Sequence, residues 1–154
     1  MTHISNYLHS PVGSTILLSV KPKYADLIIA GSKRVELRRA IPANSVGAIV
    51  IYSSSPVQEI VAMVDVKDTI EADLSDLWML AKNNGGGLTK TELQDYFRGK
   101  TTGYAMLLEN VRIFEKPVNP RRLINGFTSP QSFRYLAAKE LKKLEKLLKV
   151  GARK

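Results

Sequence analysis

A short segment with five ionisable side chains, placed inside a run that otherwise has the pattern of a β-strand, constrains the fold of this chain most. The segment is Gly31-Ser32-Lys33-Arg34-Val35-Glu36-Leu37-Arg38-Arg39. Successive side chains of a strand point to opposite faces, so Val35 and Leu37 are expected to anchor one face in the core. The charged residues Arg34, Glu36 and Arg38 would then line the opposite face. A row of charges on one face of a sheet indicates a surface for an anionic ligand.

The length and composition fit one domain with a continuous apolar core, because the chain has 154 residues of which 44% are hydrophobic. It contains no cysteine, which excludes disulfides, thiolate zinc sites and cysteine nucleophiles and agrees with a cytoplasmic location. No apolar run reaches the roughly 18 residues that span a bilayer, and residues 1–14 lack the pattern of a signal peptide. We therefore expect a soluble cytoplasmic protein with no membrane partner.

The formal charge of +9 indicates a polyanionic partner. Residues 134–154 contain eight Lys or Arg side chains and two Glu, a net charge of +6. A lysine-rich helix can equally be a solvated face, so nucleic-acid binding needs support from elsewhere in the chain.

The first fourteen residues are polar and show neither a helical nor a strand period, which predicts a mobile N-terminal tail over residues 1–14. Both histidines of the chain, His3 and His9, lie in this tail. Because no carboxylate accompanies them at the spacing of metal ligands, we expect neither a metal site nor a cofactor.

Strand and helix patterns alternate over the rest of the chain. β-rich runs predict strands over 16–20, 47–52, 60–66 and 103–114, in addition to the charged strand. These runs are short and separated by turn residues, as in successive strands of one sheet.

Capping patterns predict three helices between these strands. Pro22 suits the first turn of one helix, Asp73 can cap a second, and Thr89 with Glu92 fits the capping box of a third. The glycine run 85–87 indicates a tight turn, because it lacks the Lys-Ser/Thr that follows the glycines of a nucleotide-binding loop.

A basic amphipathic helix is predicted at the C-terminal end. Pro117 and Pro120 are expected to break the chain, and Ser129-Pro130 is expected to restart it as a helix. This helix either packs on the domain or pairs in a dimer, so we expect a monomer or a weak homodimer. Its apolar stripe, at spacings of four and three, consists of Ala137, Leu141, Leu144 and Leu148.

The charged segment and the residues around it resemble a known family. The pattern Gly-x-Lys-x-x-Glu-x-Arg, preceded by Ser19-Val20-Lys21-Pro22-Lys23-Tyr24-Ala25, strongly resembles the ASCH domain, a family of PUA-like β-barrels. The resemblance extends through Tyr52-Ser53-Ser54-Ser55-Pro56, Trp78, Tyr96-Phe97 and Pro130-Gln131-Ser132-Phe133. It implies an α+β fold, a PUA-like closed mixed β-barrel with peripheral helices over residues 15–135. The basic amphipathic helix predicted from the leucine spacing then covers residues 136–154. The resemblance also implies a basic cleft suited to RNA.

Residues near the first helix and the charged strand are the candidates for binding RNA or a modified nucleoside. Lysine and arginine contact phosphates, and aromatic rings stack on unpaired bases. We expect Arg38 to hold Glu36 ionised and Lys33 to face the ligand, while the alternative for all three is an intramolecular row of ion pairs. The candidate binding residues are Lys21, Lys33, Glu36, Arg38, Tyr52 and Ser53.

Catalysis is the second interpretation, and the resemblance implies two forms of it. One branch of the family consists of amidohydrolases that act on N4-acetylcytidine with a lysine, a threonine three residues later, and a glutamate in a following helix. This chain matches the lysine with Lys33 and the glutamate with Glu92, but Glu36 replaces the threonine. A lysine among other cations can lose its proton and act as a nucleophile or base. The candidate catalytic residues are Lys33, Glu36 and Glu92, although a capping box also explains Glu92.

Ribonuclease activity is the other enzymatic alternative, with Lys33, Tyr52 and the serines at 53–55 as its residues. A dimeric regulatory module that uses the leucine stripe is the third interpretation. Because Glu36 replaces a catalytic hydroxyl, the sequence favours binding of RNA or a modified nucleoside over hydrolysis, and it leaves open whether the protein is an enzyme.

Overall fold

A six-stranded mixed sheet organises residues 13–152, the part of the chain that the computed structural model describes. The order across the sheet is β2-β5-β4-β3-β1-β6, with β1 and β3 parallel and the other neighbours antiparallel. Of the predicted tail, residues 1–12 lie outside the described residues together with both histidines, and Ser14 begins β1. The strands are β1 Ser14–Val20, β2 Val35–Arg38, β3 Val46–Ser53, β4 Glu59–Asp73, β5 Thr102–Val118 and β6 Phe133–Tyr135.

Four α-helices accompany the sheet in the described part of the chain. The Asp73 carboxylate accepts a hydrogen bond from the Asp76 amide at 2.9 Å, and Thr89 and Glu92 form both bonds of a capping box, as predicted. None of the helices between residues 13 and 152 is long and apolar enough to cross a membrane. The helices are α1 Pro22–Ile29, α2 Leu74–Asn83, α3 Lys90–Tyr96 and α4 Ala138–Ala152, and a 3-10 turn covers Pro120–Arg122.

The sheet is open, so the predicted closed barrel is wrong. Among the described residues, β2 pairs only with β5, and β6 pairs only with β1. Both outer strands are short, with four residues in β2 and three in β6. The two ends of the sheet are joined by a side chain: Arg38 donates to the Ser19 carbonyl at 3.2 Å and to the Ser132 hydroxyl at 3.4 Å. Among the described residues, side-chain hydrogen bonds therefore stand where a closed barrel would have a backbone ladder between β2 and β6.

Three apolar clusters hold the helices against the sheet. Alternation along β1 sends Ile16 and Leu18 to the side of α1, and Leu17 to the side of α4. Val35 and Leu37 of β2 are buried in a third cluster with residues of α2 and α3, as the strand pattern predicted. The charged side chains of β2 therefore point away from an apolar layer.

The C-terminal end differs from the prediction in where its helix begins. Residues 133–135 form β6 against β1, and α4 starts only at Ala138, because the edge of β1 offers backbone partners to an extended chain. β5 also continues through Pro117 instead of ending before it. Within α4, Leu144 is fully buried, and Leu141 and Leu148 pack partly buried against the sheet. The leucine stripe therefore packs on its own domain.

Candidate functional site

An open cleft of about 530 Å³ lies where β1 and β2 meet α1 and α3. The charged segment forms its floor, the end of β1 forms one wall, and α3 with the glycine turn forms the other. Its polar and aromatic lining consists of Ser19, Lys21, Tyr24, Lys33, Glu36, Arg38, Ser54, Glu92, Asp95, Tyr96 and Gln131.

The Lys33 ammonium is held by three acceptors of the protein. Its Nζ donates to the Val35 carbonyl at 2.7 Å and to the Gly86 carbonyl at 2.8 Å, and it lies 3.3 Å from Glu36 Oε1. A protonated lysine has three N–H donors, so all of them have partners. The side chain is 4% exposed although it lines the cleft. Lys33 thus ties the charged strand to the glycine turn.

Glu36 lies between Lys33 and Arg38 and completes a buried ion triad. Its Oε2 accepts from Arg38 Nη2 at 2.6 Å and from Arg38 Nε at 3.1 Å. The Glu36 side chain is 8% exposed and the Arg38 side chain 15%. With two cations and one carboxylate, the floor of the cleft carries a net positive charge.

Burial lowers the pKa of Lys33 below its usual 10.5. The Glu36 carboxylate opposes this shift, since its charge and its hydrogen bond favour the ammonium form, and the nearby Arg38 charge adds to the lowering. The floor of the cleft therefore holds an amine that gives up its proton more readily than a surface lysine.

Two tyrosines contribute aromatic surface to the cleft. The Tyr24 ring centroid lies 5.4 Å from Lys33 Nζ, and also 5.4 Å from Lys23 Nζ. Tyr96 is 40% exposed and packs edge-on against Phe97 with ring centroids 4.8 Å apart. Each tyrosine has an apolar face on which a planar base can stack.

The structure brings most of the predicted site residues together, but not all of them. Lys21, Lys33, Glu36, Arg38 and Glu92 line the cleft. The triad geometry agrees with the ion-pair alternative for the charged strand, and it also places these groups at the cleft surface.

Tyr52 and Ser53 do not line the cleft. Tyr52 is 2% exposed and packs against Phe127 in the cluster under α4, with ring centroids 5.2 Å apart. Ser53 is buried as well, and Ser54 lines the cleft in its place. The cause is that every residue of β3 is buried, so a polar residue at the strand end does not mark a surface.

Glu92 is held in its own capping box. Its Oε1 accepts from the Thr89 amide at 2.8 Å, and this bond, with the Lys23 and Lys21 charges as smaller causes, lowers the pKa of the carboxyl. An amidohydrolase would need this carboxylate and the Lys33 amine to converge on a substrate. Both groups are bound to protein partners, and this geometry argues against that activity.

Sequence reasoning missed several residues of the cleft. Tyr96 and Gln131 lie in segments that carry the family resemblance, but no pattern assigned them a role. The Gly86 carbonyl accepts a hydrogen bond from Lys33, and a run of glycines in a sequence does not indicate that one of its carbonyls is such an acceptor. Within residues 13–152, no group of three or more His, Cys, Asp or Glu side chains could hold a metal ion.

Comparisons with known proteins agree with the resemblance. Residues 18–118 match the family model of the ASCH domain. The chain is 29% identical over 138 residues to the "ASCH domain-containing ribonuclease" of Zymomonas mobilis subsp. mobilis, which covers 85% of this chain and 90% of that protein. It is 24% identical over 123 residues to "Large ribosomal subunit protein uL22" of Ureaplasma parvum serovar 3, which covers 79% of this chain and 39% of that protein.

The fold has a solved counterpart as well. The crystal structure of ASCH from Zymomonas mobilis superposes with a TM-score of 0.80 at 28% sequence identity. The match covers 87% of this chain and 95% of that one.

Proposed function

Because the chain belongs to the ASCH domain family, we propose that it binds RNA or a modified nucleoside and that one nucleoside unit occupies the cleft. The cleft volume of about 530 Å³ falls within the roughly 300–1,000 Å³ of ordinary ligand pockets. Stacking on Tyr24 or Tyr96 would contribute about 1–3 kcal/mol per base. Lys21 lies at the exposed rim, where a phosphate can reach it.

The observation that carries the proposal is the buried triad at the floor. Burying ions costs several kcal/mol of solvation, so apolar residues would stabilise this position as well or better. A carboxylate has about four lone-pair positions, and Glu36 uses three of them on Lys33 and Arg38. One position of this cleft-lining carboxylate then remains for a ligand. It is suited to accept a hydrogen bond from the amino group of a base.

Direct binding measurements test this proposal. Glu36→Gln should weaken binding of a short RNA with amino-bearing bases about tenfold or more, because hydrogen bonds to a charged acceptor are the stronger ones. Lys21→Gln should leave the base preference unchanged and reduce the salt slope of binding by about 0.7, as expected for one phosphate contact on a single strand. Fluorescence anisotropy with labelled RNA measures both.

Glu109→Gln is the matched control, since Glu109 is an exposed carboxylate of β5 outside the cleft lining. Circular dichroism establishes that each variant is folded. Equal affinities for wild type, Glu36→Gln and Lys21→Gln, all folded, would refute the cleft as the binding site.

Ribonuclease activity is the second candidate, and the named relative in Zymomonas mobilis supports it. Attack of a ribose 2′-hydroxyl on the adjacent phosphate needs a base for the hydroxyl proton and an acid for the leaving oxygen. Lys33 and Glu36 are adjacent titratable groups at the floor of the cleft, and either one would have to release a protein partner to act on a substrate. Tyr52, one of the residues expected for this chemistry, is buried under α4.

Product analysis with labelled RNA tests the second candidate. We expect cleavage products ending in a 2′,3′-cyclic phosphate, no cleavage of a 2′-O-methyl RNA, and loss of activity in folded Lys33→Met. If Lys33→Met, purified in the same way, cleaves at the wild-type rate, the activity comes from another nuclease or another site.

A further inference from the structure

The C-terminal helix α4 has two faces of opposite character. Leu144 is fully buried in the cluster under the sheet, and Leu141, Leu147 and Leu148 pack against that cluster. Between Ala138 and Leu148, the exposed residues are Ala138 and four lysines. These lysines, Lys139, Lys142, Lys143 and Lys146, recur at i, i+3, i+4 and i+7 and so share one side of the helix. We call them the lysine face.

The two acidic residues between Ala138 and Leu148 are less exposed than the lysines. The Glu140 carboxylate receives hydrogen bonds from Arg134 at 3.2 Å and from the Ala137 amide at 2.9 Å. Glu145 is half-buried. The exposed positions of this part of the helix therefore carry charge of one sign.

The lysine face has an electrostatic cost in the free protein. Like charges three and four residues apart on a helix repel each other, and the face contains four such pairs. A solvated surface helix would reduce this repulsion by mixing charges of both signs. A partner that supplies negative charge would relieve this repulsion.

The burial of the leucines distinguishes between two possible anionic partners, a lipid membrane and a nucleic acid. A helix that lies on a membrane inserts its apolar face between the lipids. In α4 that face is already covered by the sheet. An anionic polymer needs only the exposed charges, so the observations favour a nucleic acid over a lipid surface.

We propose that the lysine face is a second, sequence-independent phosphate-binding surface, which contacts the backbone of an RNA strand whose nucleotide occupies the cleft. This inference rests on the proposed function and narrows it, because only a polymer can reach both places. A free nucleoside in the cleft would not contact α4.

The chain connects the two places directly. Ser132 bonds to Arg38 at the floor of the cleft, and α4 begins six residues later at Ala138. Six residues span at most about 20 Å, and Lys139 to Lys146 covers a further 10 Å or so along the helix. At about 3.4 Å per stacked nucleotide, a strand of roughly nine nucleotides reaches from the cleft to the end of the lysine face.

Strand length therefore provides the test. The variant Lys139→Gln/Lys142→Gln/Lys146→Gln removes three charges and keeps a good helix former at each position. The control Lys67→Gln/Lys82→Gln/Lys100→Gln removes three exposed charges from other elements. Binding of a three-nucleotide and a twelve-nucleotide single-stranded RNA is measured for each protein between 50 and 300 mM salt.

We expect the α4 variant to bind the twelve-nucleotide RNA about 100-fold more weakly at 0.1 M salt, with a salt slope reduced by about 2, since each single-strand phosphate contact contributes about 0.7. Its affinity for the three-nucleotide RNA should equal that of wild type. The control variant should match wild type with the twelve-nucleotide RNA to within a few-fold.

The outcomes separate this inference from the proposed function. If wild type binds the short RNA but both triple variants lose the same affinity for the long one, the lysine face is not a site and only net charge matters. If wild type binds neither RNA, the proposed function itself fails. Binding to phosphatidylserine vesicles that the α4 variant alone loses would overturn the inference in favour of a membrane.

Discussion

At the scale of single residues, Lys33 shows how one side chain serves both the fold and the cleft. Its ammonium fixes the carbonyls of Val35 and Gly86 and pairs with Glu36. The Gly-x-Lys-x-x-Glu-x-Arg pattern singled out Lys33, Glu36 and Arg38, and all three line the cleft. The pairing of Arg38 with Glu36 was expected and a row of ion pairs was the alternative, but the pattern could not indicate that Lys33 is buried among three protein acceptors, because that depends on the rotamers that packing imposes.

The lowered pKa of Lys33 gives the protein a specific response to alkaline pH. Between the folded pKa and the unfolded value near 10.5, the unfolded chain binds more protons at Lys33 than the folded chain. The free energy of unfolding therefore rises with pH in this window, by up to about 1.4 kcal/mol for each unit of lowering.

Lys33→Met removes this titration while keeping the length of the side chain. The stability of wild type relative to Lys33→Met should increase as the pH is raised from 7 toward 10.5, as measured by urea unfolding. If the difference in unfolding free energy between the two proteins stays constant over this range, burial does not lower the pKa of Lys33.

At the scale of elements, the helix caps were predictable and the strand ends were not. Asp73 and the Thr89–Glu92 box act locally, within three residues of their partners. β4 runs from Glu59 to Asp73, beyond the predicted residues 60–66, because pairing with the distant β5 extends it. β6 likewise depends on the edge of β1, which is more than a hundred residues away in the chain.

The caps should make stability sensitive to acid. Hydrogen bonds to the cap amides lower the pKa of Asp73 from 3.8 and of Glu92 from 4.5. Their contribution is complete above these unfolded values and is lost as the pH falls through the lower folded values. Asp73→Asn keeps the cap without the charge, so its melting temperature should fall less steeply than that of wild type between pH 5 and pH 2.5. If the melting temperatures of wild type and Asp73→Asn fall in parallel with pH, the charge of Asp73 does not contribute to the cap.

The glycine turn between α2 and α3 should tolerate no side chain at Gly85. Gly85 has φ +63°, and an added Cβ would collide with the Ser32 carbonyl oxygen. Gly99 is the matched control, because it has φ +84° with no atom within 4 Å of an added Cβ.

Gly99→Ala should lose about 1 kcal/mol of stability from backbone strain alone. Gly85→Ala should lose more, about 3 kcal/mol, and should also weaken RNA binding, because Lys33 takes its acceptor from the next residue. Chemical denaturation and the anisotropy assay measure the two effects, and equal losses in both variants would show that the contact with Ser32 does not matter.

At the scale of the whole molecule, the cleft and the lysine face are two charged surfaces, and the cleft is lined by charges of both signs. The cleft lies at the ends of β1 and β2, and the lysine face lies on the helix that packs on the side of Leu17. Composition predicted the excess of positive charge, and the leucine spacing predicted the apolar side of α4. The open sheet was not predictable from the family resemblance, because closure depends on whether two short edge strands meet.

The packing of α4 predicts the effect of removing its central leucine. Leu144→Ala should lower the free energy of unfolding by about 2–5 kcal/mol, the range for a fully buried leucine, because it leaves a cavity under the sheet. The mass in solution should stay that of a 17.1 kDa monomer for both wild type and variant. A wild-type dimer that Leu144→Ala converts to a monomer would assign the stripe to self-association instead.

The bridge from Arg38 to Ser19 and Ser132 has a consequence for how the cleft opens. The Arg38 guanidinium connects the two ends by these hydrogen bonds, at the position where a closed barrel would have backbone hydrogen bonds between strands. Side-chain hydrogen bonds of this kind can break and re-form without disrupting the backbone pairing of any strand. Breaking these bonds would therefore leave the register of the six strands unchanged.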